Sequence, residues 1–147
     1  MSSATIQQAQ DEIIEQFSRL DGWEERYRKL IELGRQLPEI PEEYQIERFR
    51  VKGCASQVFL HPEWRAGTVH FDATSDAMIV RGLIALLLRV YSDRRPDEIL
   101  ATPPDFIRKI GLSDHLSPTR ANGLAAMVEQ IRLYALAFKQ LAERRAG

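Results

Sequence analysis

The stretch from Ala77 to Tyr91 constrains this chain more than any other part of it. Met78, Ile79, Val80, Leu83, Ile84, Leu86, Leu87, Leu88 and Val90 make a helix that is apolar on most of its sides, with Arg81 and Arg89 as its charges. A surface helix carries one apolar stripe, so an element apolar nearly all round belongs in the middle of a fold or in a bilayer. This run is too short, and too charged, to span a bilayer. It is expected as a buried central helix, and the rest of the chain must supply layers to pack against it.

The flanking sequence has the periods to do so. Ile6, Ala9, Ile13, Ile14 and Phe17 fall at helical spacing over roughly Thr5 to Arg19. Asp21 and Glu24 form a capping-box pattern for a second helix. Trp23, Tyr27, Leu30, Ile31 and Leu37 face inward on it, and Pro38 and Pro41 end it. Glu39 to Glu47 reads as a polar linker. From Phe49 the pattern turns to strand. Ser56 to His61, broken off at Pro62, and Thr68 to Ala73, which follows Ala66-Gly67, read as an antiparallel hairpin, and Phe49 to Val51 is the candidate third strand.

Ser75 is the candidate cap of the central helix, with Asp76 in its first turn. Pro96 and Pro104 open short helices, the second ending near Gly111. Ser117 and Pro118 open a long last helix whose stripe is Leu124, Met127, Val128, Ile131, Tyr134, Ala135, Phe138 and Leu141. This order predicts an α+β fold, with a small antiparallel sheet of about three strands, helices on one of its faces and a long C-terminal helix. A single domain over residues 1–147 is expected, with Met1 to Thr5 and Glu143 to Gly147 as solvated ends.

Charge and composition narrow the function. Lys and Arg total 20 against 21 Asp and Glu, so there is no basic surplus of the kind that nucleic-acid binding requires. The N-terminus has no basic flank, apolar run or cleavage site, which makes a cytoplasmic location the expectation. One cysteine and three scattered histidines, His61, His70 and His115, have no zinc-ligand spacing, so no metal is expected.

Cys54 is the strong nucleophile of the chain. Lys52-Gly53 suits a bend beside a strand, because glycine tolerates backbone angles that other residues avoid, and a bend can hold a thiol at a surface tip. The attacking species is the thiolate, only a few per cent of an ordinary cysteine at neutral pH. Lys52, Ser56 or a backbone N–H near Cys54 are candidates to raise that fraction. The residue type alone fits a small buried hydrophobe as well as a nucleophile.

The surrounding motif is more specific. Gly53-Cys54-Ala55-Ser56-Gln57-Val58-Phe59 resembles the cysteine motif of the SufE family of sulfur acceptors, departing from it at Ala55 and Phe59, where many relatives carry Gln and Trp. Further blocks agree in order: Trp23 to Tyr27 followed by Leu33 to Pro38, Ser75 to Leu83, and His115 to Leu124. The resemblance implies a SufE/IscU-like fold and a division of labour. A pyridoxal-phosphate cysteine desulfurase (SufS-like or CsdA-like) holds sulfur as a persulfide, and the residue matching Cys54 accepts it, stimulates the desulfurase and delivers the sulfur to a scaffold for iron-sulfur cluster assembly. By this resemblance the chain is a transfer protein rather than a stand-alone enzyme, binds no cofactor, and is a monomer or weak homodimer.

Gly53, Ser56, Gln57, Asp76 and Arg120 fall at motif positions as supporting or partner-docking residues. Asp76 fits equally a helix-start carboxylate, and Arg120 a tie for the last helix. Ser56 and Gln57 fit loop-positioning hydrogen bonds or plain strand positions. A persulfide loose in solution is reduced or oxidised, so Cys54 is expected on a loop tip with its sulfur turned inward, sheltered by Val58, Phe59 and the end of the central helix. The three histidines, Trp23 and Trp64 read as packing residues, with an exposed contact as the alternative for Trp64 because it falls in a turn-like segment. Two rivals stand beside the carrier: a non-covalent regulatory module that activates a desulfurase without accepting sulfur, and a redox sensor, for which the chain lacks a resolving cysteine.

Overall fold

Thr5 opens the first helix with a reciprocal cap. Its hydroxyl accepts the Gln8 N–H at 3.0 Å, and the Gln8 side chain accepts the Thr5 N–H at 2.8 Å, which satisfies two donors that a helix start leaves free. The computed structural model describes residues 4–146. Its elements run α1 (Ile6–Ser18), α2 (Gly22–Gln36), β1 (Val58–Arg65), β2 (Thr68–Ser75), α3 (Met78–Tyr91), α4 (Pro96–Ala101), α5 (Asp105–Lys109), α6 (Leu112–His115) and α7 (Pro118–Ala146). The fold is α+β, as the order of periods predicts.

The apolar run forms α3, which packs on α1, α2, β2 and α7. Val80, Leu83, Ile84, Leu86, Leu87, Val90 and Tyr91 are all buried. Its crossing with α2 is close enough that backbone meets backbone: a Cβ placed on Gly82 would lie 2.2 Å from the Leu30 carbonyl oxygen. Arg81, a charge inside the apolar run, is a tie rather than an interruption. Its guanidinium donates to the carbonyls of Gly34 and Leu37 at 3.0 Å each and to Thr74 Oγ1 at 2.9 Å. One side chain thus satisfies the last carbonyls of α2 and joins it to β2 and α3.

β1 and β2 pair antiparallel from Val58↔Ser75 to Arg65↔Thr68. The loop between them is Ala66-Gly67, both at positive φ (48° and 92°), the two-residue turn whose twist matches that of the strands. Val58 and Leu60 on β1, with Val69, Phe71 and Ala73 on β2, are buried on the core face. Among the described residues the sheet has two strands. Phe49 to Val51 adds a single bridge, Arg50 to Phe59, because Glu47–Phe49 coils into a 3₁₀ turn just before it and Gly53 turns the chain away just after.

Pro62 does not break β1. It pairs with Phe71, whose N–H points away from β1 to Ser92 Oγ at 2.9 Å, so the proline sits where the ladder requires no N–H. Trp64 therefore lies in the strand, not in a turn, and its ring stacks on Phe138 at 5.5 Å.

Two other caps differ from expectation. Asp21 precedes α2 without capping it; its own N–H donates to Glu25, one residue beyond Glu24, so the reciprocal half of the box is missing. Asp76 lies before α3 rather than in its first turn, and Ser75 Oγ accepts the Ala77 N–H at 3.2 Å. Ser117 does cap α7, accepting the Arg120 N–H at 3.3 Å. Leu124, Met127, Val128, Ile131 and Ala135 of that helix are buried, whereas Leu141 is half exposed near its free end. The single turn α6 was not legible in the pattern. Glu143 to Arg145 are exposed as expected, but in the last turns of α7 rather than in a loose tail. At the other end Ala4 and Thr5 are tied rather than loose, the Ala4 carbonyl accepting from Arg94 and Thr5 capping α1, while residues 1–3 and 147 lie outside the described residues.

Candidate functional site

Between the Arg50 bridge and β1 the chain makes a short loop, and Gly53 shapes it. Its φ of 92° lies in the left-handed region that side chains resist, and it carries the chain away from the strand so that Cys54 faces α7. Both ends of the loop are tied. At the base the Val51 N–H donates to the Val58 carbonyl at 2.9 Å. The Asp76 carboxylate accepts the Gln57 N–H at 3.1 Å, and the Asp76 N–H donates back to the Gln57 carbonyl at 3.4 Å. Asp76 is therefore a clamp on the cysteine loop. Gln57 meets it through its backbone, and among the described residues neither the Gln57 nor the Ser56 side chain has a hydrogen-bond partner.

Cys54 is half-buried and its sulfur is turned inward. The thiol donates to the Gly123 carbonyl of α7 at 3.4 Å. Beside it is a crevice of about 30 Å³ with Val80, Leu83, Leu124 and Met127 as apolar walls and Ser56 and Arg120 among its other linings. That is room for one or two atoms of water size. Shelter thus comes from the start of α3 and the first turns of α7, while Val58 and Phe59 are buried outside the crevice.

Burial pushes the Cys54 thiol above its ordinary pKa. A thiol that donates its proton to a carbonyl is held in the same protonated form. Lys52 and Ser56 do not reverse this: Lys52 is exposed and lines a different cleft. The site as it stands is a stored thiol rather than a standing thiolate.

The loop clamp can be tested directly. Asp76→Ala removes the acceptor of the Gln57 N–H and is expected to cost about 1 kcal/mol. The opening of the loop should then be favoured about fivefold. Iodoacetamide should alkylate wild-type Cys54 more slowly than glutathione at neutral pH, with the gap closing as pH rises, and the variant should react about fivefold faster than wild type. Equal rates for variant and wild type would show that Asp76 does not hold the loop.

The structure brings Cys54, Ser56 and Arg120 to one crevice and puts Gly53, Gln57 and Asp76 into the frame of the loop. The Arg120 side chain is exposed and ties nothing down among the described residues. The histidines have other partners: His115 stacks on Trp23, His61 on Tyr44, and His70 sits between Asp72 and Asp93. Sequence reasoning missed Gly123 as the thiol's acceptor, although a glycine inside a helical stripe is itself a sign of close packing. Among the described residues no group of His, Cys, Asp and Glu could hold a metal ion, and no helix is long and apolar enough to cross a membrane.

Comparison with known proteins bears on the same region. A model of the SufE family, described as the Fe-S metabolism associated domain, matches residues 11–135. An uncharacterized SufE-like protein of Rhizobium meliloti (strain 1021) is 47% identical over 127 residues, which cover 83% of this chain and 91% of that protein. Another, from Synechocystis sp., is 36% identical over 139 residues, 95% of this chain and 87% of the relative. The solution structure of a hypothetical protein from Thermus thermophilus superposes with a TM-score of 0.73 at 26% identity, covering 88% of this chain and 94% of that one. The match takes in the cysteine loop, its clamp and the helix that receives the thiol, so the chain belongs to the SufE family and through it is associated with iron-sulfur metabolism.

Proposed function

We propose that the protein is a sulfur acceptor and carrier, taking persulfide sulfur from a cysteine desulfurase onto Cys54 and passing it towards iron-sulfur cluster assembly. The observation that supports this best is the setting of its one thiol: on a tethered loop, half-buried, with a small apolar crevice beside the sulfur.

The chemistry balances without an external oxidant. As the loop opens on a partner, the Cys54 thiol gives its proton to water or to a partner base. The thiolate attacks the outer sulfur of the donor persulfide, a new S–S bond forms, the donor's S–S bond breaks, and the donor cysteine leaves as a thiolate. The same exchange run onto a scaffold cysteine returns Cys54 to the thiol. Removing sulfur from the desulfurase frees its cysteine for the next turnover, which accounts for stimulation. Arg120, exposed at the crevice, is available to stabilise the negative charge of the bound persulfide. In this role the protein works in the cytoplasm as a transfer protein, and the pyridoxal phosphate belongs to the desulfurase.

The test is mass spectrometry of the protein after incubation with a cysteine desulfurase and free cysteine. The expected result is a gain of one or more sulfur atoms, mapped to the peptide containing Cys54 and removed by a reductant. A chain that leaves the incubation at its original mass would end the proposal.

A further inference from the structure

The five residues before Gly53 are Arg48, Phe49, Arg50, Val51 and Lys52, with the three cations at alternate positions. Arg48 lies in the 3₁₀ turn and Arg50 and Lys52 in the stretch after it, and all three side chains are exposed. Val51 is buried and Phe49 packs edge-on to His61, so the inward positions are apolar and the cations are left outside. Arg48, Arg50 and Lys52 form one wall of an open cleft of about 590 Å³, and Ala126, Glu129, Gln130 and Tyr134 of α7 form the other. The cleft adjoins the thiol site: Lys52 is two residues from Cys54, and a Cβ on Gly53 would touch Ala126 at 3.3 Å.

These cations are largely uncommitted. Arg50 has a loose ion pair with Glu47 at 3.8 Å. Arg48 lies over the Phe49 ring at 5.6 Å, and among the described residues neither it nor Lys52 has a carboxylate within ion-pair distance. In a chain whose net charge is -1, three cations on one strip beside the reactive thiol are available to carboxylates from elsewhere.

We propose that this cleft docks an acidic segment of the protein that delivers sulfur to Cys54, an inference that rests on the sulfur-carrier reading. The cleft is open and its volume of about 590 Å³ is far more than a single ion fills, so it has room for a stretch of polypeptide. Its own carboxylates, Glu47 and Glu129, would meet the phosphates of RNA or of an anionic bilayer with repulsion. A protein surface can set its carboxylates against Arg48 and Lys52 and a donor against Glu129. Such an arrangement fixes the register of the encounter and steers it, with its main effect on the rate of association.

The experiment measures the rate at which a cysteine-loaded pyridoxal-phosphate desulfurase places sulfur on Cys54, at low and high sodium chloride. Arg48→Glu with Lys52→Glu is expected to slow transfer about tenfold at low salt and to flatten the salt dependence seen with the wild type. The neutral pair Arg48→Gln with Lys52→Gln should fall between. The reaction of Cys54 with the small uncharged disulfide 4,4′-dithiodipyridine should be equal in all three proteins.

Transfer at the wild-type rate in the charge-reversed protein would overturn the proposal, as would an equal slowing towards dithiodipyridine, which would mean a disturbed loop. Retention on RNA or anionic vesicles with no change in transfer from the desulfurase would overturn it too. Each of these leaves the carrier reading standing, whereas failure of the wild type to gain sulfur at all removes that reading instead.

Discussion

Gly82→Ala is expected to lower the melting temperature by about 10 °C, because among the described glycines an added Cβ meets its nearest neighbour at the shortest distance there. The added Cβ would stand 2.2 Å from the Leu30 oxygen, 2.7 Å from its carbonyl carbon and 3.0 Å from its Cα. Those atoms are backbone, so no rotamer change relieves the clash, and α2 and α3 must separate along their contact. Overpacking of this kind costs about 3 kcal/mol, of which the better helix propensity of alanine returns less than about 1 kcal/mol. The damage would extend to Arg81, whose bonds to Gly34 and Leu37 depend on the same approach. Gly34→Ala, with Met78 O at 2.7 Å and Gly82 N at 2.9 Å, should act in the same direction. Differential scanning calorimetry measures it, and a Gly82→Ala midpoint within about 2 °C of the wild type would show that the helix pair has slack the geometry denies.

Cys54→Ser is expected to abolish sulfur uptake while leaving the fold in place. The serine hydroxyl can still donate to the Gly123 carbonyl, so the thermal midpoint should move little. Its oxygen is not ionised near neutral pH and forms no persulfide, so the mass gain should vanish rather than diminish. The same variant separates the carrier from its rival. A non-covalent activator would still stimulate the desulfurase to the full wild-type extent with serine at position 54. A carrier would bind the desulfurase but no longer drain its sulfur, and stimulation should collapse to the level without the protein. Full stimulation by the serine protein would sink the carrier.

The relation between the cysteine and its shelter shows how far local sequence reaches. That Cys54 stands at a bend could be read from Lys52-Gly53 ahead of a strand-like run, because glycine before a strand has few other uses. That Asp76 clamps the bend could not, since the clamp depends on β2 returning alongside Gln57 before α3 begins. The thiol's acceptor was hidden for the same reason: Gly123 is 69 residues away, and only the packing of α7 brings its carbonyl to the sulfur. The expected strand break at Pro62 failed because a proline's effect depends on which of its neighbours' N–H groups face the ladder, and that follows from register.

By itself the sequence determined the elements whose causes are local: the amphipathic helices, the Ser117 cap of the last one, an antiparallel hairpin, and an apolar run that had to become the central helix. It also confined the nucleophile to one residue. The tertiary structure alone decided what that residue is chemically. Whether a thiol rests as a protonated, half-buried group or as an exposed thiolate depends on the dielectric and the acceptors around it, and these come from α3 and α7, elements distant in the chain that meet at Cys54 because burying their apolar faces holds the whole domain together.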